Sequence, residues 1–75
     1  MKSDSLDLRG TPCPLNFIRC KLVLESLTPG DSLRVILDSG EPERMLISGL
    51  QDEHHIVEVI DRQSKWITLN IILTT

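Results

Sequence analysis

The stretch that decides the fold is Arg9-Gly10-Thr11-Pro12-Cys13-Pro14-Leu15-Asn16. Before it, Leu6-Asp7-Leu8 alternates in hydrophobicity as a short strand does. Pro12 disfavours helical geometry at the residue before it, whereas Pro14 suits a first helical turn, because its missing N–H has no intrahelical partner there. A long segment without Gly or Pro follows. The stretch therefore predicts a loop that enters a helix at Pro14, with Cys13 at or beside the N-cap.

A cysteine at a helix N-terminus has a distinct chemistry. The free N–H groups and the positive end of the helix dipole stabilise an anion, which lowers the pKa of a thiol and favours the nucleophilic thiolate. Arg9, Arg19 and Lys21 are close in sequence and would add positive charge if they point towards the sulfur. The plainer alternative is that Cys13 only fills a gap, since free cysteines are often buried. The flanking prolines and the helix start favour the functional interpretation.

Short segments spread over nearly the whole chain carry a resemblance to a known family: Leu6-Asp7-Leu8-Arg9-Gly10, Cys13-Pro14, Lys21, Leu27-Thr28-Pro29-Gly30-Asp31, Asp38, Glu41-Pro42 and His55-Ile56-Val57. They resemble the TusA family of small sulfur-carrier proteins. The resemblance implies that Cys13 carries sulfur as a persulfide and hands it on for tRNA thiolation or another sulfur pathway. The family's signature is Cys-Pro-x-Pro, whereas this chain has Asn16 in place of the second proline.

Three hypotheses of function follow. The first is a sulfur carrier or sulfurtransferase with Cys13 as the catalytic residue. It implies two kinds of partner, a sulfur donor such as a cysteine desulfurase and a downstream acceptor protein, and no cofactor or metal. The second is a binding or regulatory module that has kept the fold but not the sulfur chemistry. The third is a thiol redox protein, which the lack of a Cys-x-x-Cys pair disfavours. In the first hypothesis the supporting residues shape the loop or supply charge: Arg9, Gly10, Pro12, Pro14 and Lys21.

Length and composition limit the class of protein. Seventy-five residues predict a single TusA-like domain over residues 1–75, with residues 1–4 as a flexible tail. A net charge of -3, with one Phe, one Trp and no Tyr, argues against a general binder of nucleic acid or anionic membranes. Apolar runs are shorter than the roughly 18 residues of a membrane span, and the N-terminus does not resemble a signal peptide. We expect a cytoplasmic protein that is a monomer or a weak dimer.

The two cysteines are not expected to form a disulfide. Cys13 and Cys20 are seven residues apart on one predicted helix, which separates their Cα atoms by roughly 10 Å along the axis. A disulfide needs a separation of roughly 4.4–6.8 Å. Cys20 is therefore interpreted as a core residue or as a thiol that pairs only between molecules.

The remaining pattern predicts the order β-α-β-α-β-β. The first helix is predicted over Pro14–Leu27, with one buried stripe at helical spacing. A second apolar strip, formed by Leu15, Ile18 and Leu22, should be covered by a neighbouring helix. The other expected elements are a strand over Ser32–Asp38, a helix capped by Ser39 that fades by Glu53 or His54, and strands over Ile56–Ile60 and Trp66–Leu73. The fold class is thus a two-layer α/β (α+β) sandwich, in which both helices pack on one face of a four-stranded mixed sheet.

Two further features leave alternatives open. Adjacent histidines, His54 and His55, suggest a metal site, but a solvated turn is favoured because no other ligands stand at a known spacing. The second face of the sheet is predicted to be open and half apolar, which indicates either imperfect cover or a surface for a partner. The residues expected on that face are Arg34, Ile36, Glu58, Trp66, Thr68 and Ile72.

Overall fold

The computed structural model describes residues 3–12 and 14–74, and these form six elements in the predicted order. The elements are β1 Ser3–Asp7, α1 Leu15–Leu24, β2 Ser32–Asp38, α2 Glu41–Asp52, β3 Ile56–Arg62 and β4 Trp66–Ile72. The sheet order is β1-β2-β4-β3, with β1 parallel to β2 and the other two pairs antiparallel. The predicted α+β sandwich of two helices on a four-stranded mixed sheet is confirmed.

Alternation in the two central strands separates the core from the open face. In β2 and β4 every second side chain is apolar and fully buried. These side chains form directly paired rows beneath the helices: Leu33 with Ile71, Val35 with Leu69 and Leu37 with Ile67. Leu46 and Leu50 of α2 and Cys20 of α1 complete this core.

The end of α1 and the start of β1 differ from their predicted boundaries. The helix predicted over Pro14–Leu27 ends at Leu24, and the turn that follows still places Leu27 in the core. Ser3 and Asp4, expected to belong to a flexible tail, instead pair with residues 32 and 33 of β2, while residues 1–2 lie outside the described range. Backbone pairing with β2 supports this polar strand, and side-chain hydrophobicity gives no signal of it.

A β-bulge in the edge strand β3 aims Arg62 at the helices. The register shifts between Val59 and Asp61, after which Arg62 pairs with the buried Ile67. Because side chains alternate along a strand, the extra residue moves Arg62 to the helix-bearing face. Its guanidinium donates to both carboxylate oxygens of Glu43 in α2, at 3.0 and 2.7 Å. β3 thus ends at Arg62, two residues beyond its predicted end at Ile60.

The second helix starts on Gly40 rather than on the predicted cap Ser39. The Ser39 hydroxyl donates instead to the carbonyl of Ser64, at 3.2 Å. Glu43 folds back so that its Oε1 accepts a hydrogen bond from the Gly40 N–H, at 3.0 Å. This carboxylate is buried, and its hydrogen bonds with the Arg62 guanidinium hold its pKa below the ordinary value. One acidic side chain thus caps α2 and joins it to β3.

Gly49 lets the two helices approach each other. A Cβ at this position would lie 2.6 Å from Cε1 of Phe17 and 3.1 Å from Cδ1 and Cζ of the same ring. Gly49→Ala is therefore expected to destabilise the protein by about 1 kcal/mol, because overpacking outweighs the gain in helix propensity. Urea unfolding should show the loss, and Phe17→Leu should reduce it in the double variant. Ser48→Ala, at the exposed neighbouring position, is the control. A more stable Gly49→Ala protein would contradict this packing.

His54 lies just beyond α2 in the left-handed region, with φ +68°. That conformation favours glycine after a helix end, and residues with a Cβ adopt it at a cost. We expect His54→Gly to stabilise the protein by about 1 kcal/mol in thermal or urea unfolding. His54→Ala removes the imidazole but keeps the Cβ, so it should give no such gain. Equal gains in both variants would mean that the imidazole, rather than the backbone, is unfavourable here.

Candidate functional site

The loop between β1 and α1 is fixed at the carboxyl ends of the two parallel strands. The buried Leu8 extends the β1–β2 ladder by donating its N–H to Ile36 O at 2.7 Å. Gly10 has φ +76° and donates its N–H to Asp38 Oδ2 at 2.9 Å. Thr11 N–H donates to Leu8 O at 3.1 Å. Functional sites of open α/β sheets gather beyond the carboxyl ends of parallel strands, and this loop lies there.

Arg9 is held in place by two neighbours. Its Nε and Nη2 donate to the two carboxylate oxygens of Asp7 at 3.1 and 2.9 Å, and these bonds lower the pKa of Asp7 to about 2. The guanidinium also lies over the Trp66 ring, 5.5 Å from the ring centroid. Arg9 therefore contributes a positioned charge beside the loop, partly balanced by Asp7.

The carbonyls of both prolines accept hydrogen bonds from the first turn of α1. Asn16 N–H donates to Pro12 O at 3.0 Å, and Ile18 N–H donates to Pro14 O at 3.1 Å. Pro14 is the N-cap, with φ -93° and ψ 8°, one position before its predicted place as the first helical residue. Cys13, the predicted catalytic residue, lies outside the described residues. The structure thus defines the backbone on either side of position 13.

Asn16 is the unexpected member of this turn. Its side chain is completely buried, and its Oδ1 accepts a hydrogen bond from the Phe17 N–H at 2.7 Å. Its Nδ2 has no hydrogen-bond partner among the described residues. A proline at this position would lack the N–H that binds Pro12 O, so Asn16 makes a backbone hydrogen bond that the second proline of a Cys-Pro-x-Pro signature could not make.

The predicted basic residues divide into two groups. Arg19 Nη1 donates to Thr11 Oγ1 at 3.2 Å, so its charge lies at the loop. Lys21 Nζ instead forms an ion pair with Glu53 at 2.8 Å and lies 5.8 Å from the centroid of the Phe17 ring. The structure thus brings Arg9 and Arg19 to the loop, whereas Lys21 joins α1 to the end of α2.

Cys20 is a free, fully buried thiol, as predicted for a core residue. Burial raises its pKa to about 12, so almost none of it is ionised at neutral pH. We expect Cys20 in the Cys13→Ser protein to resist Ellman's reagent under native conditions and to react fully in concentrated urea. Rapid labelling of the native variant would contradict this burial.

One side of α1 is apolar and faces solvent. Leu15, Ile18 and Leu22 are 48%, 49% and 62% exposed, so the expected cover by a neighbouring helix is wrong. The opposite side of α1 carries its buried stripe of Asn16, Cys20 and Leu24, and the last two belong to the same hydrophobic core as the buried strand residues. We call the three exposed residues the α1 apolar face. It begins two positions after Cys13.

A shallow groove separates α1 from α2 beside this helix start. It has a volume of about 280 Å³ and is mainly apolar. The groove is lined by Pro14, Phe17, Met45, Ser48, Gly49 and Asp52. Met45 is half exposed, which extends the apolar surface from the N-terminus of α1 onto α2.

The two histidines differ in environment. His54 is exposed, as a solvated turn predicts, but His55 is buried, and its Nδ1 accepts a long hydrogen bond from the Thr74 N–H at 3.5 Å. Residues 3–12 and 14–74 contain no group of three or more His, Cys, Asp or Glu side chains placed to hold a metal ion. In the same range, no helix has the length and apolar character needed to cross a membrane.

Comparison with known proteins identifies the family to which this fold and loop belong. Residues 4–72 match the family described as sulfurtransferase TusA, and the chain belongs to that family. It is 35% identical over 69 residues to an Archaeoglobus fulgidus protein named "Putative sulfur carrier protein", covering 89% of this chain and 78% of that one. Its fold is similar to the crystal structure of a SirA-like protein from Desulfitobacterium hafniense, with a TM-score of 0.81 at 20% identity, covering 96% and 99% of the two chains.

Proposed function

We propose that this protein is a sulfur carrier that accepts sulfur on Cys13 as a persulfide and relays it to an acceptor protein or pathway such as tRNA thiolation. Membership of the TusA family and the likeness to the archaeal protein named "Putative sulfur carrier protein" support the role. The observation that carries the assignment to Cys13 is the fixed turn around position 13. That turn is held by Asn16 N–H on Pro12 O and by Gly10 N–H on Asp38, at the N-terminus of α1.

The proposed loading step is an exchange at sulfur. The Cys13 thiolate attacks the terminal sulfur of a persulfide on the donor's cysteine. A new S–S bond forms to Cys13 while the donor's S–S bond breaks, and the electron pair leaves with the donor's cysteine sulfur as a thiolate. Charge and oxidation level balance, so no external oxidant or reductant enters. Release to an acceptor thiolate repeats the exchange in the opposite sense.

Each supporting residue has a proposed task in this step. Gly10 and Pro12 shape the loop, and Pro14 starts the helix whose dipole stabilises the sulfur anion. Arg9 supplies positive charge beside the loop, as does Arg19 through Thr11. The charge of Lys21 is largely neutralised by Glu53, so its proposed role is to hold α1 against α2.

Sulfur transfer requires the donor's cysteine to reach position 13, so the partner must dock beside the start of α1. The α1 apolar face supports that contact, because three half-exposed aliphatic side chains line one side of the helix. We propose that a sulfur-donor protein such as a cysteine desulfurase docks on this face and that an acceptor protein later takes its place. Residues 1–75 would act as one domain, cytoplasmic and monomeric or weakly dimeric.

Intact-mass spectrometry tests the function. The protein is incubated with a cysteine desulfurase and cysteine, and its mass is compared before and after treatment with a reductant. We expect a gain of one sulfur atom that the reductant reverses. No gain with several desulfurases, together with a Cys13 thiol of ordinary acidity, would contradict the carrier function and favour the binding module.

A further inference from the structure

The sheet face opposite the helices is uncovered, and much of it is apolar. Both helices lie on the other face, so within residues 3–12 and 14–74 this side has no second layer. Ile56 and Ile60 are 49% and 47% exposed, and Trp66 is 36% exposed. A shallow depression of about 460 Å³ lies over Ile36 and Thr68. We call this surface the open sheet face, and its apolar members are Ile36, Ile56, Ile60, Trp66 and Ile72.

Arg34 and Glu58 are charged residues of the open sheet face that lack a partner in the described part of the chain. Three carboxylates of the same face are already held by neighbours: Asp7 by Arg9, Asp38 by the Gly10 N–H and Asp61 by Gln63. The exposed side chains of Arg34 and Glu58 make no hydrogen bond or ion pair with residues 3–12 or 14–74. One positive and one negative charge are therefore available to whatever covers the face.

The register of the sheet places these two charges symmetrically about β4. Arg34 of β2 and Glu58 of β3 both pair with Asn70 of β4. They therefore stand one strand spacing, about 4.8 Å, on either side of β4. A two-fold axis that runs along β4, in front of the open sheet face, exchanges the two sides. Such an axis brings Arg34 of each copy opposite Glu58 of the other copy, which gives two equivalent ion pairs.

The side chains that would lie on this axis are suited to meet their own copies. A residue on a two-fold axis contacts itself, so a charge there would be repelled. The open-face residues of β4 are all uncharged, and they are Trp66, Thr68, Asn70 and Ile72. The hydroxyl of Thr68 and the amide of Asn70 each hold a donor and an acceptor, so each can pair with its copy. The other two supply apolar contacts.

We propose that the open sheet face binds a second copy of this chain, as a two-fold dimer whose sheets pack face to face with β4 at the axis. The second copy supplies the missing layer at a sheet separation of about 10 Å. Four strands, the central ones of seven residues, give a footprint of roughly 20 by 23 Å, so we expect a weak dimer. The α1 apolar face lies on the other side of the sheet and stays accessible, so dimerisation does not depend on sulfur transfer.

Sedimentation equilibrium across the micromolar to millimolar range tests the dimer. We expect the wild type to dimerise, and the emission of Trp66, the chain's one tryptophan, to shift over the same range. Arg34→Glu or Glu58→Arg places like charges at both pairs, so each should raise the dissociation constant at least about tenfold. An equimolar mixture of the two single variants should form a heterodimer, because every pair in it has opposite charges. The double variant should self-associate as the wild type does.

The matched controls are Arg44→Glu in α2 and Glu25→Arg at the end of α1, which make the same changes in net charge at exposed positions of the helical layer. Both should leave the dissociation constant unchanged, and losses equal to those of the face variants would contradict the proposed ion pairs. A wild type that stays monomeric at millimolar concentration would overturn the proposal and leave the face to another partner. A dimer that is insensitive to both face variants would form through a different surface, such as the α1 apolar face, and would overturn it as well.

Discussion

Cys13→Ser is expected to abolish sulfur loading, whereas Cys20→Ser is expected to load as the wild type does. Serine cannot form the S–S bond that the exchange requires, so the loss should be complete. Cys20 is fully buried with a pKa raised to about 12, so it supplies neither an accessible sulfur nor a thiolate. The measurement is protein-bound radiolabelled sulfur after incubation with a desulfurase and labelled cysteine, resolved on a non-reducing gel.

The control for this pair concerns the fold. Cys20→Ser places a hydroxyl in the apolar core, so Cys20→Ala should accompany it, and circular dichroism should establish that each variant is folded. Label retained by Cys13→Ser would contradict the assigned site. Label lost by a folded Cys20→Ala protein would show that the sulfur resides on the second cysteine instead.

Glu43→Ala is expected to give the largest loss of stability among the substitutions considered, about 2–3 kcal/mol. The substitution removes the side-chain cap on Gly40 N–H and both hydrogen bonds from Arg62. It also removes the contact between α2 and the edge strand β3 for which the β-bulge positions Arg62. Urea unfolding monitored by circular dichroism gives the free energy directly.

Two comparisons make the Glu43 prediction specific. Glu41→Ala removes an exposed acid from the same helical turn and should change stability by less than about 0.5 kcal/mol. The folded-state pKa of Glu43 lies below its ordinary value of 4.5, so the carboxylate stabilises the fold above that pH and loses this effect as the pH falls through its folded-state pKa. The difference between wild type and Glu43→Gln should therefore shrink in acid. A difference that persists at all pH values would contradict an ionic cause.

The two central strands could be predicted from the sequence, because apolar side chains at every second position indicate a strand with one buried face. Leu33, Val35 and Leu37 repeat at every second position, and burial of one sheet face fixes such a pattern. The Pro and Gly residues between the elements indicated the turns. A β-α-β crossover predicts a parallel strand pair and a hairpin predicts an antiparallel pair, so together they give a mixed sheet. Polar Ser3 and Asp4 carry no such pattern, so their strand depends on pairing that only the folded chain provides.

The apolar pattern of α1 was a less reliable guide, because hydrophobicity does not say what covers a face. Leu15, Ile18 and Leu22 have the spacing of a packed strip but face solvent. Asn16, a polar residue, takes the buried place beside Cys20. The face that hydrophobicity assigned to packing is therefore the exposed one, and a polar side chain occupies part of the buried face.

The loop at the site was predictable in position but not in its contacts. Gly10, Pro12 and Pro14 mark the turn by their backbone preferences. The roles of Asp38 and Trp66 depend on the sheet order, which brings the end of β2 and the start of β4 beside the loop. Lys21 was predicted at the site because it is close to Cys13 in the sequence, but its position on α1 brings it to Glu53 instead.

The measurement that tests the central claim most directly is the location of the carried sulfur in the unaltered protein. Trypsin cuts after Arg9, Arg19 and Lys21, so it separates the cysteines into residues 10–19, with Cys13, and residues 20–21, with Cys20. The protein is loaded by a desulfurase, alkylated, digested and analysed by mass spectrometry. The account predicts one additional sulfur on the peptide of residues 10–19 only. Additional sulfur on residues 20–21, or on neither peptide of a protein that has gained mass, would contradict it.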